Sequence, residues 1–144
     1  MNPVPIEILL VDDDELDLEL TREALKASKI RNTISTAKDG VAALEHLRRA
    51  PGYEAAPRPD VILLDLNMPR MDGHTFLAEL KNDPDLMSIP VVIVTTSDEE
   101  SDVVRSYELH AAAFITKPIG LDQIGNVVRA IEEFWLQVVR YPSR

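Results

Sequence analysis

Cysteine is absent from the 144-residue sequence. Disulfide bonds, thiolate metal sites, iron–sulfur clusters and cysteine nucleophiles are therefore excluded. Long apolar runs are also missing, because none approaches the roughly 20 residues that a helix needs to cross a bilayer. The segment Met1 to Glu7 lacks the basic start and the apolar stretch of a secretory signal. These absences predict a cytoplasmic protein.

Basic clusters are scarce as well. Acidic residues outnumber basic ones by 25 to 15, which gives a formal net charge of −10. Arg48 and Arg49 are adjacent, but the other basic residues are scattered. An acidic chain without a basic cluster repels nucleic-acid phosphates and anionic lipids. We therefore expect neither a nucleic acid nor a membrane as a partner.

Short apolar runs alternate with helical patterns along the chain, whose length fits a single domain, 1–144. Strands that are apolar on both faces and alternate with helices indicate a parallel sheet covered on both sides. The sequence therefore predicts an α/β fold, a three-layer sandwich. The predicted strands cover residues 6–11, 33–37, 61–64, 90–94 and 113–115, and the predicted helices cover residues 15–28, 41–49, 73–82, 97–109 and 121–141.

Several residues within these elements are given structural roles. Near-helical spacing indicates an apolar face on the first helix, formed by Leu16, Leu20, Ala24 and Ala27. The pairs Asp39-Gly40 and Asp72-Gly73 are interpreted as turns that start helices. The histidines lack paired spacing and acidic neighbours, so we interpret all three as surface or packing residues: His46, His74 and His110.

Polar residues follow four of the predicted strands. In open α/β sheets, functional groups gather at the carboxyl ends of the strands. We therefore expect these side chains to share one edge of the sheet. They are Asp12 and Asp13 after the first strand, Asp65 after the third, Thr95 and Thr96 after the fourth, and Lys117 after the fifth.

The chemistry of these groups indicates phosphoryl transfer. Carboxylates that converge from two strands repel each other and should hold a cation or a proton. Oxygen ligands without nearby histidine or cysteine favour a hard cation such as Mg²⁺. A lysine can hold a phosphoryl oxygen, and a threonine hydroxyl can donate a hydrogen bond to another. Together these groups form a site at which a carboxylate accepts a phosphoryl group.

Five short motifs follow one another along the chain: LLVDDD at 9–14, LLDLNMP at 63–69, MDG at 71–73, VTTS at 94–97 and TKP at 116–118. In their order and spacing, and over nearly the whole chain, they resemble the receiver domain of two-component response regulators. The resemblance implies a flavodoxin-like receiver fold with a five-stranded parallel sheet in the order 2-1-3-4-5. It also implies two helices on one face of the sheet and three on the other.

The resemblance also implies roles for the residues around the expected metal. Asp65 corresponds to the phosphoaccepting aspartate of the family. Asp13 corresponds to the acid that binds Mg²⁺ directly, and Asp12 to its partner, which usually acts through water. The backbone carbonyl of Asn67 would be a further metal ligand.

Further correspondences concern the phosphate contacts and the switch. Thr95 matches the switch hydroxyl, and Lys117 matches the lysine that pairs with the phosphate. Phe114 falls at the aromatic switch position, and the bond between Lys117 and Pro118 is typically cis in the family. Thr96 occupies a position that often holds a smaller residue, a departure that bears on partner access and turnover rate.

The function that the resemblance implies is that of a stand-alone response regulator. It would accept a phosphoryl group from a sensor histidine kinase and signal through contacts with a downstream protein or phosphotransfer partner. It would be a signalling protein rather than an enzyme, although it would catalyse its own phosphotransfer and slow autodephosphorylation. The segment 49–59, the LNMPRMDG and TTS strings and Phe134-Trp135 are similar to stand-alone receivers that serve bacterial phytochromes.

Three other functions are possible for a fold of this kind, and the residues argue against each of them. A small aspartyl phosphatase would use Asp65 as its nucleophile, but its general acid would stand at Asn67, which cannot donate a proton. A carrier of flavin mononucleotide needs a phosphate-binding loop after the first strand. The acids at 12–15 stand there instead and would repel the phosphate group. A receiver fold that only binds partners would not need the complete set of aspartate, threonine and lysine.

The last predicted helix is longer than a receiver sheet requires. Its first half carries an inward stripe, and its second half continues the apolar pattern with Phe134, Trp135, Val138 and Val139. Apolar patches that include aromatic side chains usually mark a partner surface. We therefore predict a homodimer formed through an extended helix from about 121 to 141 and through neighbouring elements. The alternative is that this part of the helix folds back over a sheet edge or the 51–59 loop.

Overall fold

The computed structural model describes residues 6–27, 31–66, 68, 70–95 and 100–116. Within these residues the strands are β1 Ile6–Val11, β2 Asn32–Ala37, β3 Val61–Leu64, β4 Val91–Thr95 and β5 Ala113–Thr116. The helices are α1 Glu15–Lys26, α2 Gly40–Leu47, α3 Gly73–Lys81 and α4 Glu100–Glu108. The predicted helix at 121–141 lies outside the described residues. In the part of the chain that is described, no helix is long and apolar enough to cross a membrane.

The five strands form one parallel sheet in the order β2-β1-β3-β4-β5, which confirms the expected topology. The chain moves outward from β1 to β2, returns past β1 to β3, and then continues to β4 and β5. The order therefore changes direction between β1 and β3, and such a switch point is where open α/β sheets place their functional groups. The carboxyl ends of these two strands hold the predicted acids.

The sheet is buried on both faces, as its apolar strands predict. Neighbouring residues of a strand point to opposite faces, so Val61 and Leu63 pack into one core cluster and Ile62 and Leu64 into the other. Helix α1 covers the first cluster, and α2 and α3 cover the second. This arrangement confirms the three-layer sandwich.

An aspartate caps each of the first three helices. The Asp14 carboxylate accepts hydrogen bonds from the Leu16 and Asp17 N–H groups, at 2.9 and 3.1 Å. Asp39 accepts from the N–H of Ala42, and Asp72 from the N–H of Thr75, both at 2.8 Å. These bonds satisfy amide groups that have no partner inside a helix. The helix starts predicted at Asp39-Gly40 and Asp72-Gly73 are confirmed.

Two local predictions were wrong. Leu16 was expected on the apolar face of α1 but is 66% exposed, whereas Leu18 and Leu25 are buried against the sheet. The true inward face is therefore rotated relative to the predicted one. Helix α2 ends at Leu47, two residues early, and Arg49 has a φ of 52°. That left-handed backbone cannot continue a right-handed helix.

Candidate metal and phosphoacceptor site

The pairing of β1 with β3 brings two of the predicted acids together. Val11 is opposite Leu64 at the ends of these strands, so Asp12 and Asp65 leave the sheet side by side. The N–H of Asp65 donates to the Val11 carbonyl at 2.9 Å, and the N–H of Asp12 donates to the Ala37 carbonyl at 3.0 Å. These bonds extend the sheet ladder beyond the strands and fix the backbone of both aspartates.

Asp12, Asp13 and Asp65 form a three-carboxylate cluster. Each offers an oxygen, and these three oxygens all lie within 4.8 Å of one another. Asp12 and Asp65 are each 8% exposed, whereas Asp13 is exposed. The N–H of Asp14 donates to Asp12 at 2.9 Å and so orients one carboxylate of the cluster. Oxygen ligands at this separation fit a hard divalent cation, which would offset the repulsion between the carboxylates.

Thr95 ends β4, the neighbour of β3. Thr95 is fully buried and is the last residue of the strand, whereas the sequence predicts that the strand ends one residue earlier, at residue 94. Leu64 is opposite Ile93, so Asp65 and Thr95 leave their neighbouring strands at the same edge. Thr95 is also opposite Thr116, the last residue of β5. The predicted hydroxyl therefore lies at the edge that carries the carboxylate cluster.

The remaining predicted residues divide into two groups. Phe114 is partly buried and packs against the cluster that α2 and α3 cover. The others lie outside the described residues: Asn67, Thr96, Lys117, Pro118, Phe134, Trp135, Val138 and Val139. Their predicted roles in metal binding, phosphate contact and dimerisation stay predictions.

The chain that follows Asp65 is held by a close approach at Gly73. The N–H of Gly73 donates to the Leu66 carbonyl at 2.9 Å. A Cβ atom at position 73 would stand only 2.6 Å from the carbonyl oxygen of Asp65 and 2.7 Å from the Cα of Leu66. Only glycine fits there, so the start of α3 lies directly against the backbone of the candidate phosphoacceptor. The sequence indicated a helix start at Gly73 but not this contact.

The structure contains an ion pair between Asp39 and Arg70 that the sequence pattern does not predict. The Arg70 guanidinium donates to both carboxylate oxygens of Asp39, at 2.8 and 3.0 Å. Burial alone would raise the pKa of Asp39, but the hydrogen bonds from Arg70 and from the N–H of Ala42 lower it below its usual value. The sequence alone indicates only a helix start at Asp39. The sequence offers one signal for this pair, which is that Arg70 lies in the LNMPRMDG string directly after Asp65.

The histidines take packing or surface roles, as expected. Burial lowers the pKa of His46, which is 7% exposed, although its hydrogen bond to the Pro57 carbonyl opposes that effect. The Nε2 atom of His74 lies 3.0 Å from the buried hydroxyl of Ser106 and so links α3 to α4. His110 is exposed. Among the described residues, the only group of three or more potential metal ligands is the aspartate cluster.

Comparison with known proteins places this geometry among response regulators. The family profile described as the response regulator receiver domain matches residues 8–129. The response regulator Rcp1 of Synechocystis is 47% identical over 142 residues, which cover 99% of this chain and 96% of Rcp1.

Two solved structures show the same likeness in three dimensions. The phosphorylated cyanobacterial phytochrome response regulator RcpA is 45% identical, with a TM-score of 0.86 over 94% of this chain and 96% of RcpA. The Mn²⁺-bound form of Rcp1 is 47% identical, with a TM-score of 0.85 over 96% of this chain and all of that one.

Proposed function

Since this chain belongs to the response regulator receiver domain family, we propose that Asp65 accepts a phosphoryl group from the phosphohistidine of a sensor histidine kinase. The observation that carries this proposal is the cluster of Asp12, Asp13 and Asp65, with oxygens within 4.8 Å of one another at the switch point of the sheet. Of these three acids, only Asp65 follows the middle strand of the sheet. Its N–H donates to the Val11 carbonyl, and its own carbonyl oxygen lies so close to Gly73 that a Cβ there would stand 2.6 Å away.

In the transfer step a carboxylate oxygen of Asp65 attacks the phosphorus atom. A P–O bond forms to Asp65 while the P–N bond to the kinase histidine breaks, and the electron pair returns to the imidazole. Fixing the attacking carboxylate before the reaction removes part of the entropic cost of bringing the two groups together.

Mg²⁺ is the metal that we assign to the cluster. Asp13, Asp65 and the backbone carbonyl of Asn67 would hold it directly, and Asp12 would act through water. The bound ion would neutralise charge on the phosphoryl oxygens. The chain's own contribution is a carboxylate set held at the correct spacing, with Asp12 oriented by the N–H of Asp14.

Thr95 and Lys117 are the two residues that would contact the phosphoryl group and detect phosphorylation. The Thr95 hydroxyl would donate a hydrogen bond to a phosphoryl oxygen, and the ammonium of Lys117 would pair with another. The register between Thr95 and Thr116 supports this assignment, since Lys117 is the next residue along the chain. The Phe114 side chain would change its position when Thr95 does. Thr96 would set the rate of slow autodephosphorylation.

The relatives and the sequence pattern support three interaction partners for this protein, namely a kinase, a downstream protein and a second copy of the chain. One solved relative is a phytochrome response regulator, which favours a bacterial phytochrome as the kinase and hence a cytoplasmic site of action. Output would pass to a downstream protein or phosphotransfer partner. The apolar pattern at Phe134, Trp135, Val138 and Val139 supports a homodimer formed through that segment.

Labelling with acetyl phosphate, and with a phosphorylated kinase, tests the assignment of Asp65. Asp65→Asn keeps the shape of the side chain and removes the nucleophilic charge, so labelling should be abolished with both donors. Asp85→Asn, which makes the same change at an exposed aspartate, should label like the wild type. Undiminished labelling of Asp65→Asn would show that another group accepts the phosphoryl group.

A further inference from the structure

The segment between Asp65 and α3 is attached to the start of α2 by two neighbouring contacts. In the first, Arg70 donates two hydrogen bonds to Asp39, at 2.8 and 3.0 Å. In the second, Met71 fills the space beside Gly40, where a Cβ would stand 2.9 Å from the Met71 Cγ and Sδ atoms. We call these four residues the loop clamp: Asp39, Gly40, Arg70 and Met71.

The backbone of one clamp residue, Arg70, is in a strained conformation. Arg70 has a φ of 63°, in the left-handed region that side chains other than glycine rarely adopt. Such a conformation persists only where surrounding contacts enforce it. The bidentate pairing with Asp39 is a contact of that kind, because two parallel charge-assisted bonds fix both the position and the orientation of the guanidinium.

The partner of Arg70 is held in place by a second contact. Asp39 is 6% exposed, and its carboxylate also caps α2 through the N–H of Ala42. The bonds from Arg70 and from that N–H lower its pKa, so the carboxylate stays charged at neutral pH. Arg70 is therefore anchored to the end of a helix rather than to a freely moving side chain.

The clamp connects the two halves of the aspartate cluster. On one side, the Ala37 carbonyl accepts the N–H of Asp12, and Asp39 follows two residues later. On the other side, the segment that contains Arg70 begins directly after Asp65, and its base is closed by the bond from Gly73 to Leu66. Asn67, the proposed carbonyl ligand, lies in this segment by its sequence position.

We propose that Asp39 and Arg70 are a positioning pair, which holds the segment after Asp65 in the conformation that metal binding requires. Neither residue belongs to the carboxylate cluster, and both act through the backbone of that segment. Residues outside the ligand set that orient ligands typically change metal affinity about 10- to 100-fold when they are replaced. This inference rests on the proposed metal-dependent function of the same site.

Titration with Mn²⁺, followed by the relaxation of water protons, measures the effect directly. Arg70→Gln should weaken Mn²⁺ binding roughly 10-fold. It should also slow labelling by acetyl phosphate at limiting metal, and excess metal should restore the rate. Arg70→Lys keeps the charge and should recover part of the affinity. Arg48→Gln removes an arginine from the ion pair with Asp83 and should bind Mn²⁺ like the wild type.

Arg70→Gly distinguishes the effect of the Arg70 side chain from the effect of its left-handed backbone. Glycine adopts a φ of 63° without strain, so a role confined to the turn would leave this variant like the wild type. The proposal requires instead that Arg70→Gly lose metal affinity as Arg70→Gln does. Unchanged Mn²⁺ affinity in folded Arg70→Gln and Arg70→Gly would overturn it. If Arg70→Gln fails to fold, Arg70→Gly and Arg70→Lys decide the question.

The two proposals fail differently. Absence of labelling in the wild type would contradict the phosphoacceptor function, while the Mn²⁺ titration would still test the clamp. Normal labelling of the wild type together with wild-type affinity in the Arg70 variants would contradict the clamp alone.

Discussion

Asp12 and Asp65 are adjacent because Val11 and Leu64 pair at the ends of β1 and β3. The order of the strands makes these two chain segments neighbours although more than fifty residues separate them. The resulting concentration of negative charge disfavours the folded state in the absence of a cation. Metal binding and stability should therefore be coupled at this edge.

Asp13→Asn should reveal that coupling. The substitution removes one charge from the cluster, so the metal-free protein should gain stability while its affinity for Mg²⁺ falls at least 10-fold. Urea unfolding with and without Mg²⁺ measures both effects. Glu19→Gln, an exposed charge removal on α1, is the matched control and should change neither quantity appreciably. Equal metal affinity in Asp13→Asn and Glu19→Gln would remove Asp13 from the ligand set.

Gly73→Ala should be markedly destabilising. The added Cβ would meet backbone atoms of Asp65 and Leu66 at 2.6 and 2.7 Å, and these cannot move without displacing the end of β3. Overpacking of this kind costs about 1–3 kcal/mol in the free energy of unfolding. At Gly40 the three atoms nearest to an added Cβ all belong to the flexible Met71 side chain, so Gly40→Ala should cost less. Urea midpoints that rank the two variants in the opposite order would contradict the contact at Gly73.

Ser106→Ala should destabilise the link between α3 and α4. The substitution leaves the buried ring nitrogen of His74 without its partner at 3.0 Å, which costs about 1–3 kcal/mol. Ser101→Ala changes an exposed serine on the same helix and is the control. The double variant His74→Phe, Ser106→Ala should cost less than the sum of the single changes. Additive costs would mean that the two side chains do not interact.

His46 should make stability depend on pH below neutrality. Burial lowers its pKa in the folded protein, so the unfolded chain binds the proton more readily. The stability from the neutral ring is present above the unfolded pKa, about 6.5, and is lost as pH falls through the folded pKa. The His46 ring packs edge-on against the Tyr53 ring, with centroids 5.9 Å apart. His46→Phe keeps a ring at this position and should show a smaller loss of stability between pH 7 and 5. Parallel profiles for the two proteins would argue against this account.

The sequence predicted what depends on local pattern. Apolar runs located the strands, and the strand ends located Asp12, Asp13 and Asp65, because a parallel sheet brings its carboxyl ends to one edge. The pairing of Asp39 with Arg70 could not be read in this way. The two residues are 31 positions apart, and their contact depends on the left-handed backbone of Arg70. The exposed Leu16 shows the other limit, since the apolar spacing of α1 does not fix its rotation against the sheet.

The edge that carries the carboxylate cluster holds aspartates of two kinds, and they do not form one acidic surface. Three of them, Asp14, Asp39 and Asp72, give their oxygens to the amide groups that begin α1, α2 and α3. Their charge is offset by the positive ends of those helices. Asp12, Asp13 and Asp65 form the cluster. This edge should therefore bind one divalent ion per chain, because the capping aspartates already accept hydrogen bonds from helix amide groups.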